Sequence, residues 1–342
     1  MKDYLRHSAL SRRTVLKGVG TGAALTMIGM PTVLRAQAKT LRAAHVEAPA
    51  SATHEGHMAF AEAVREKTGG SVEIAVFPAG QLGGARDIYE GIRLGSIDIT
   101  STGVDFTITY APLMLLAGIY YAFENDEHVD RVFAGPVTER LSQALMSGAG
   151  MRILAWGDLG WRQIFSSSRG IDAVADFRGL KIRVPDTKMH IVPLSTLGAA
   201  PTPVAYAEVY SALQTGIVDA AEGFPAAILE QRFNEVSSHY SLTNHLYSAT
   251  HLVIGNSAFG RLQPNEQQAV EEAALEAFAA QRAVSRQRNA ESLAQMLQST
   301  AHTIHEPDLA AIRAAVEPAW DRLVDELGPE GKEIFDLIRQ AA

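Results

Sequence analysis

Arginine is the residue type whose placement in this sequence points most directly to a chemistry. Arg183 sits inside the apolar run Leu180-Lys181-Ile182-Arg183-Val184, which Pro185 closes. A guanidinium carried by a buried strand needs an anion, and its planar fork suits a carboxylate taken bidentately. Two partners are open: the carboxylate of a ligand, or an Asp or Glu of the chain itself in a structural ion pair. A second arginine, Arg162, follows Trp161 just after the stretch 157–160. It can face the same cleft, or simply lie exposed.

The other chemistry-bearing residues are arranged less suggestively. His54-Glu55-Gly56-His57 lacks the four-residue separation of the metalloprotease helix motif. His239, His245 and His251 are spread over segments that read as extended, with no matching set of carboxylates, so no metal site is expected. His54, near a helix start, can still touch a ligand. There is no G-x-S-x-G turn, and Ser166-Ser167-Ser168 has neither a paired base nor a turn signal. Asp219 and Glu222 are paired carboxylates at a strand end, an ordinary place for polar residues. The absence of cysteine removes iron–sulfur and blue-copper chemistry. The expectation is a protein that binds and does not catalyse, with no cofactor.

Holding such residues in place takes a scaffold, and its pieces are readable. Residues 40–47 read as a strand, Thr53 as the N-cap of a helix reaching about Thr68, and Gly69-Gly70 as its stop. Residues 71–77 alternate as a strand should; a Gly-rich turn at 80–84 opens a helix ending near Gly95, and 97–100 is another strand. Helical segments over 126–148 complete a first set. A second set has strands at 151–156, 163–167, 180–184 and 218–222. Its helices span 187–197, with Pro193 as a kink, and 206–215, closed by Gly216. Segments 239–243 and 248–255 read as extended crossings back to the first set. Pro264 opens a helix to about Ser299, with Val270, Ala274, Phe278, Leu293, Met296 and Leu297 at helical spacing. A helix that long would run across both halves, and two shorter ones end the chain. Strands alternating with helices make the class α/β.

Ahead of these elements, Ser11-Arg12-Arg13-Thr14-Val15-Leu16-Lys17, an apolar run at 18–30 and Ala36-Gln37-Ala38 follow in the order of a twin-arginine export signal. Export to the periplasm with cleavage after Ala38 is expected. Gly18-Val19-Gly20-Thr21-Gly22 superficially suggests a nucleotide loop, but no strand precedes it. The chain carries 30 basic and 38 acidic residues, a net charge of −8. Six of the basic residues and one acidic residue precede position 39, so the remainder is more acidic still. Such a chain repels phosphate backbones, which argues against nucleic acid as a partner and requires any anion site to be built locally. The roughly 300 residues left support two domains.

Taken together, these segments resemble the DctP-type solute-binding subunits of tripartite ATP-independent periplasmic (TRAP) transporters. The most specific stretch contains Phe177-Arg178-Gly179-Leu180-Lys181-Ile182-Arg183-Val184-Pro185, Leu197-Gly198-Ala199, Pro203, Glu208, Tyr210-Ser211-Ala212-Leu213-Gln214-Thr215-Gly216 and Val218-Asp219-Ala220-Ala221-Glu222. Pro78-Ala79-Gly80-Gln81-Leu82-Gly83-Gly84, then Gly95 and Asp98, is similar to the family's first-lobe signature. The resemblance implies a two-lobed periplasmic-binding-protein fold, type II-like, with crossing strands and a long helix spanning both lobes. The lobes would take residues 39–159 plus 248–288 and 160–247 plus 289–342. It further implies a small organic acid as ligand, closure of the lobes over it, and delivery to small and large membrane permease subunits. Arg183 matches the family's strand arginine that pairs with the substrate carboxylate, and Arg162 a second arginine near it. Where the family often has Asn after the acidic residue of 218–222, this chain has Gly223, leaving Phe224 or water to fill the space. Glu222, His54 in the loop 49–54, Thr102 in the strand end 101–103, and Trp161 complete the candidate binding set, with Trp156 and Tyr120 as further candidate walls. Two other readings stay open: a binding protein for another importer or a chemosensory partner, and an exported cofactor enzyme.

Overall fold

The computed structural model describes residues 38–342, so the export signal read ahead of Ala38 lies outside the described residues. The chain begins with β1 (Lys39–Ala44), α1 (Ala52–Lys67), β2 (Val72–Phe77), α2 (Ala85–Leu94) and β3 (Ile99–Thr100). β1 pairs in parallel with both β2 and β3, which is why a helix separates each successive pair of strands. Two short 3-10 segments lead to α3 (Asp126–Phe133) and α4 (Pro136–Ala149). Then come β4 (Met151–Ser166), β5 (Lys181–Val184), α5 (Lys188–Thr196), β6 (Ala200–Pro203), α6 (Val209–Gln214), β7 (Ala220–Gly223) and α7 (Pro225–Glu230). The remainder is β8 (His239–Gly255), α8 (Asn256–Gly260), α9 (Pro264–Gln298), β9 (Thr303–His305), α10 (Leu309–Asp325) and α11 (Gly328–Gln340). No described helix is long and apolar enough to cross a membrane.

All nine strands join one sheet of order β2-β1-β3-β8-β4-β7-β5-β6, with β9 added to β8. The two long central strands make it continuous. β8 pairs with β3 near its C-terminal end, β4 pairs with β7 near its own, and the two run antiparallel to each other from Met151↔Gly255 to Ser166↔His239. The glycine stretch at 157–160 suggested a break in the first of these strands, and 244–247 a break in the second. Both are instead unbroken, bent at register shifts between Ile153 and Ala155, Asp158 and Gly160, and Arg162 and Ile164. Glycine in a strand interior marks such bulges and close approaches of a neighbouring element. At Gly160 φ is +112°, and a Cβ there would overlap the Asn289 amide of α9. That amide donates to Leu159 O (2.8 Å) and accepts from Ala226 N (3.0 Å). Gln281, two turns earlier, exchanges two hydrogen bonds with the Asp158 backbone (3.0 and 2.6 Å). The long helix is therefore stitched to the sheet where the two halves meet.

Other boundaries moved for local reasons. α1 is capped by Ser51, whose hydroxyl accepts from His54 N (3.1 Å), so the helix starts two residues before Thr53 could have capped it. β6 and α7 were not legible, being four and six residues long with no sustained period. Each half has its own apolar cluster, with Phe60, Val64, Leu252, Ile254 and Phe278 in one and Phe165, Leu213, Val218, Ile228 and Tyr240 in the other.

Several histidines are sealed into this scaffold. His45 stacks on His57 (centroids 4.9 Å apart), and its Nε2 lies 3.1 Å from Nδ1 of His54. His251, wholly buried, stacks on Trp156 (5.7 Å). Burial pushes His45 and His251 down from 6.5 to about 3. Both are neutral when folded, and the unfolded chain binds more protons below pH 6.5. Their contribution is thus whole above pH 6.5 and lost progressively as pH falls toward 3. We expect the free energy of urea unfolding to fall steeply between pH 6.5 and 5, by up to roughly 1.4 kcal/mol per pH unit for each histidine, and His251→Phe to flatten that slope by about one proton. An unfolding free energy indifferent to acid would contradict this assignment.

Candidate functional site

A cleft of about 580 Å³ opens between the two halves of the sheet. Val46 and Glu47 follow β1, Thr102 follows β3, Pro185 follows β5, Val204 follows β6 and Phe224 follows β7. Ligand crevices of α/β sheets lie at such carboxyl ends of strands. The walls are largely apolar, with Val46, Val104, Phe106, Leu159, Met189, Leu246 and Phe224 among them.

The cleft holds two buried arginines that differ in one respect. Arg162, on β4, is engaged by Glu222 of β7. Its Nε donates to Oε2 (2.5 Å), and its Nη2 to Oε1 (3.0 Å) and to the Glu222 carbonyl (2.8 Å). Glu222 is 3% exposed and also meets His245 Nε2 at 3.1 Å and His190 Nδ1 at 2.9 Å. Burial works against its ionised form, but Arg162, His190 and His245 hold Glu222 well below the usual carboxylate range. His190 is itself pushed up: burial opposes its charge, and Glu222 and Asp105 outweigh the burial. Its Nε2 lies 3.5 Å from Asp105 Oδ2, on the far side of the cleft. His245 is pushed down by burial.

Arg183 has no such partner. β5 lies between β7 and β6, with Arg183 opposite Ala221 and Thr202, so the strand fixes where its side chain leaves the sheet. Arg183 is 4% exposed, and its guanidinium carbon stands 5.8 Å from the Tyr206 ring centre. Its Nε and Nη2 both donate to the Val204 carbonyl (2.9 and 2.8 Å). No carboxylate comes within ion-pair distance among the described residues. Burial and the neighbouring Arg162 bring it down to about 10, so it stays charged at neutral pH. The ion pair considered for Arg183 from the sequence is found on Arg162 instead.

Of the residues singled out in the sequence, Arg183, Arg162, Thr102 and Phe224 line the cleft, with Glu222 beneath Arg162. Gly223 does not: a Cβ there would meet the Phe165 ring, 3.4 Å away. His54 belongs to the histidine stack, and Trp161 donates to Asp126 (2.7 Å) beside a separate shallow groove. Trp156 and Tyr120 pack in the core against His251 and His245. The sequence did not single out Glu47, Asp105, His190 or Tyr206. Each stands alone in its segment, and only the fold brings them to one place.

A strand-crossed α/β sheet with a cleft between its halves, built around buried arginines, has the build of a two-lobed ligand-binding protein. The profile of bacterial extracellular solute-binding protein family 7, DctP, matches residues 43–327, and the chain belongs to that family, whose members include the solute-binding subunits of TRAP transporters. A solute-binding protein of Roseobacter denitrificans is 33% identical over 323 residues, covering 94% of this chain and 98% of that protein. Its structure, with bound L-galactonate, gives a TM-score of 0.82 and covers 87% of this chain and 99% of that one. The 2,3-diketo-L-gulonate-binding periplasmic protein of Escherichia coli is 30% identical over 302 residues, 88% of this chain and 92% of its own. A TRAP periplasmic solute-binding protein from Sulfitobacter sp. NAS-14.1, with bound β-D-galacturonate, matches with a TM-score of 0.84 at 28% identity, covering 88% of this chain and 100% of that chain.

Removing one partner of a buried ion pair strands the other charge. Glu222→Ala should therefore cost about 3–5 kcal/mol in urea unfolding at pH 7.5. A loss below about 1 kcal/mol, the range of an exposed pair, would show that Arg162 and His190 find water or another anion.

Proposed function

We propose that this protein takes up a small organic acid by docking its carboxylate on Arg183, closes its two halves over it, and delivers it to the membrane subunits of a TRAP transporter. We further propose that it reaches the periplasm by the twin-arginine route, with residues 1–38 removed. The observation that carries the reading is Arg183, buried, charged and answered only by a carbonyl. Burying an unanswered cation costs several kcal/mol. A fold that keeps one in a cleft is suited to an anion that arrives from outside. The acids bound by the related proteins, L-galactonate and β-D-galacturonate, each carry one carboxylate, which supports the same reading.

Closure is supported by the architecture. The halves are joined by β4, β8 and α9, so bending at the bulges near Asp158 and Gly160 can move one half against the other. Across the mouth, Arg86 of α2 donates to Asp186 (2.8 Å), both side chains being more than half exposed. Such a pair contributes at most about 1 kcal/mol, leaving the ligand to decide the equilibrium. Family membership supports delivery to permease subunits.

A thermal-shift screen of carboxylic acids against their neutral amides should give stabilisation by acids alone. Two charge-assisted hydrogen bonds at about 1.5–3 kcal/mol each imply that Arg183→Ala weakens binding of any acid found by roughly a hundredfold or more, with a melting temperature no lower than the parent's. Unchanged affinity in the folded variant would remove Arg183 from the site.

A further inference from the structure

The charges around the cleft do not sum to a site for just any acid. Three arginines line it: Arg86, Arg162 and Arg183. The first is paired with Asp186 and the second with Glu222, so one cation is left for the ligand. On the opposite wall stands Glu47, 8% exposed, with no cation within ion-pair distance among the described residues. The groups facing it are Glu230 of α7, Tyr206, and, farther off, Arg162 and Arg183. The Tyr206 hydroxyl is buried without a well-directed hydrogen bond, yet lies close enough to Glu47 to favour its ionised form. Burial and Glu230 act the other way and push the Glu47 carboxyl up to about 7. Val46, Val104 and Phe106 make much of that wall apolar; its side-chain donors are Thr102 and Arg86, and the Arg86 guanidinium is already taken by Asp186.

Resting on the docking of a carboxylate at Arg183, we propose that Glu47 is a specificity-determining residue. It accepts a hydrogen bond from a hydroxyl at the ligand's far end and turns away acids with a second carboxylate there. The ligand class is then a hydroxylated monocarboxylate. A dicarboxylate of the same length would place a desolvated anion against a buried acid, a like-charge contact that disfavours both ionised forms. The discrimination weakens as Glu47 takes up a proton, because the neutral acid can donate to a carboxylate. Lowering the pH from 8 to 6 therefore relaxes the selection.

Matched pairs test this by calorimetry on the purified protein: L-galactonate against galactarate, and D-erythronate against meso-tartrate. Each pair differs by a terminal hydroxymethyl oxidised to a carboxylate. At pH 8 the monocarboxylate of the better-bound pair should bind at least tenfold tighter than its partner, and the ratio should narrow at pH 6. Glu47→Gln should collapse the ratio at pH 8 and abolish its pH dependence. A dicarboxylate bound as tightly as its partner by the unaltered protein at pH 8 would overturn the proposal, even without the variant. So would a ratio unmoved in Glu47→Gln. If the monocarboxylate binds, and Arg183→Ala abolishes that binding while the Glu47→Gln ratio stays put, Glu47 fails and the carboxylate anchor stands. If no member of either pair binds, the hydroxylated-monocarboxylate class falls, while the carboxylate anchor stands or falls by the wider thermal-shift screen and Arg183→Ala.

Discussion

A guanidinium taken out of water must be answered by an anion, and the two arginines of the cleft meet that requirement in opposite ways. Arg162 has its answer from within the chain: Glu222 takes its fork and is itself held ionised by two histidines. Arg183 has a carbonyl and an aromatic face, neither of which neutralises it. Arg162 with Glu222 forms a finished, rigid network whose own charges are spent. Burial first, and the neighbouring Arg162 second, press Arg183 down, with Glu222 acting against both. An arriving carboxylate would relieve that pressure, which is how a site can hold an acid tightly and still be stable when empty.

The scaffold serves this charge arrangement. Arg162 and Glu222 sit on neighbouring strands, and Arg183 lies one strand further on, so the sheet ladder sets their separations before any side chain chooses a rotamer. The opposing wall, with Glu47, Thr102 and Asp105, hangs from the ends of β1 and β3, which join the rest of the sheet through β8. The proposed closure would move one wall against the other, with the bulges of β4 and the Asn289 and Gln281 stitches of α9 at the junction of the halves. The acidic composition fits as well. With a net charge of −8 the chain does not attract anions generally, so selectivity falls to a few placed groups.

Much of this was legible in the sequence, and what was not has physical causes. α9 could be placed to within a residue because Pro264 fixes its start and its apolar spacing is sustained. β5 and Arg183 stood out because a charge in a short apolar run before proline is conspicuous. The two long strands were read as four, since glycines at 157 and 160 carry the same signal in a loop as at a bulge. Within the site, sequence reasoning could weigh Arg162 and Arg183 but could not tell which one the chain itself neutralises. That depends on β7 lying beside β4, a pairing of residues some sixty positions apart. Gly223 is absent from the cleft lining, and a Cβ there would meet Phe165. Glu47, Asp105 and His190 are single residues in unrelated segments, and no spacing rule could have assembled them.

The most direct test of the account is a crystal structure of the protein holding whichever acid gives the largest thermal shift. The account predicts the carboxylate within hydrogen-bond distance of the Arg183 guanidinium while Glu222 keeps its grip on Arg162. A ligand carboxylate seated elsewhere, with Arg183 still bonded only to the Val204 carbonyl, would contradict it.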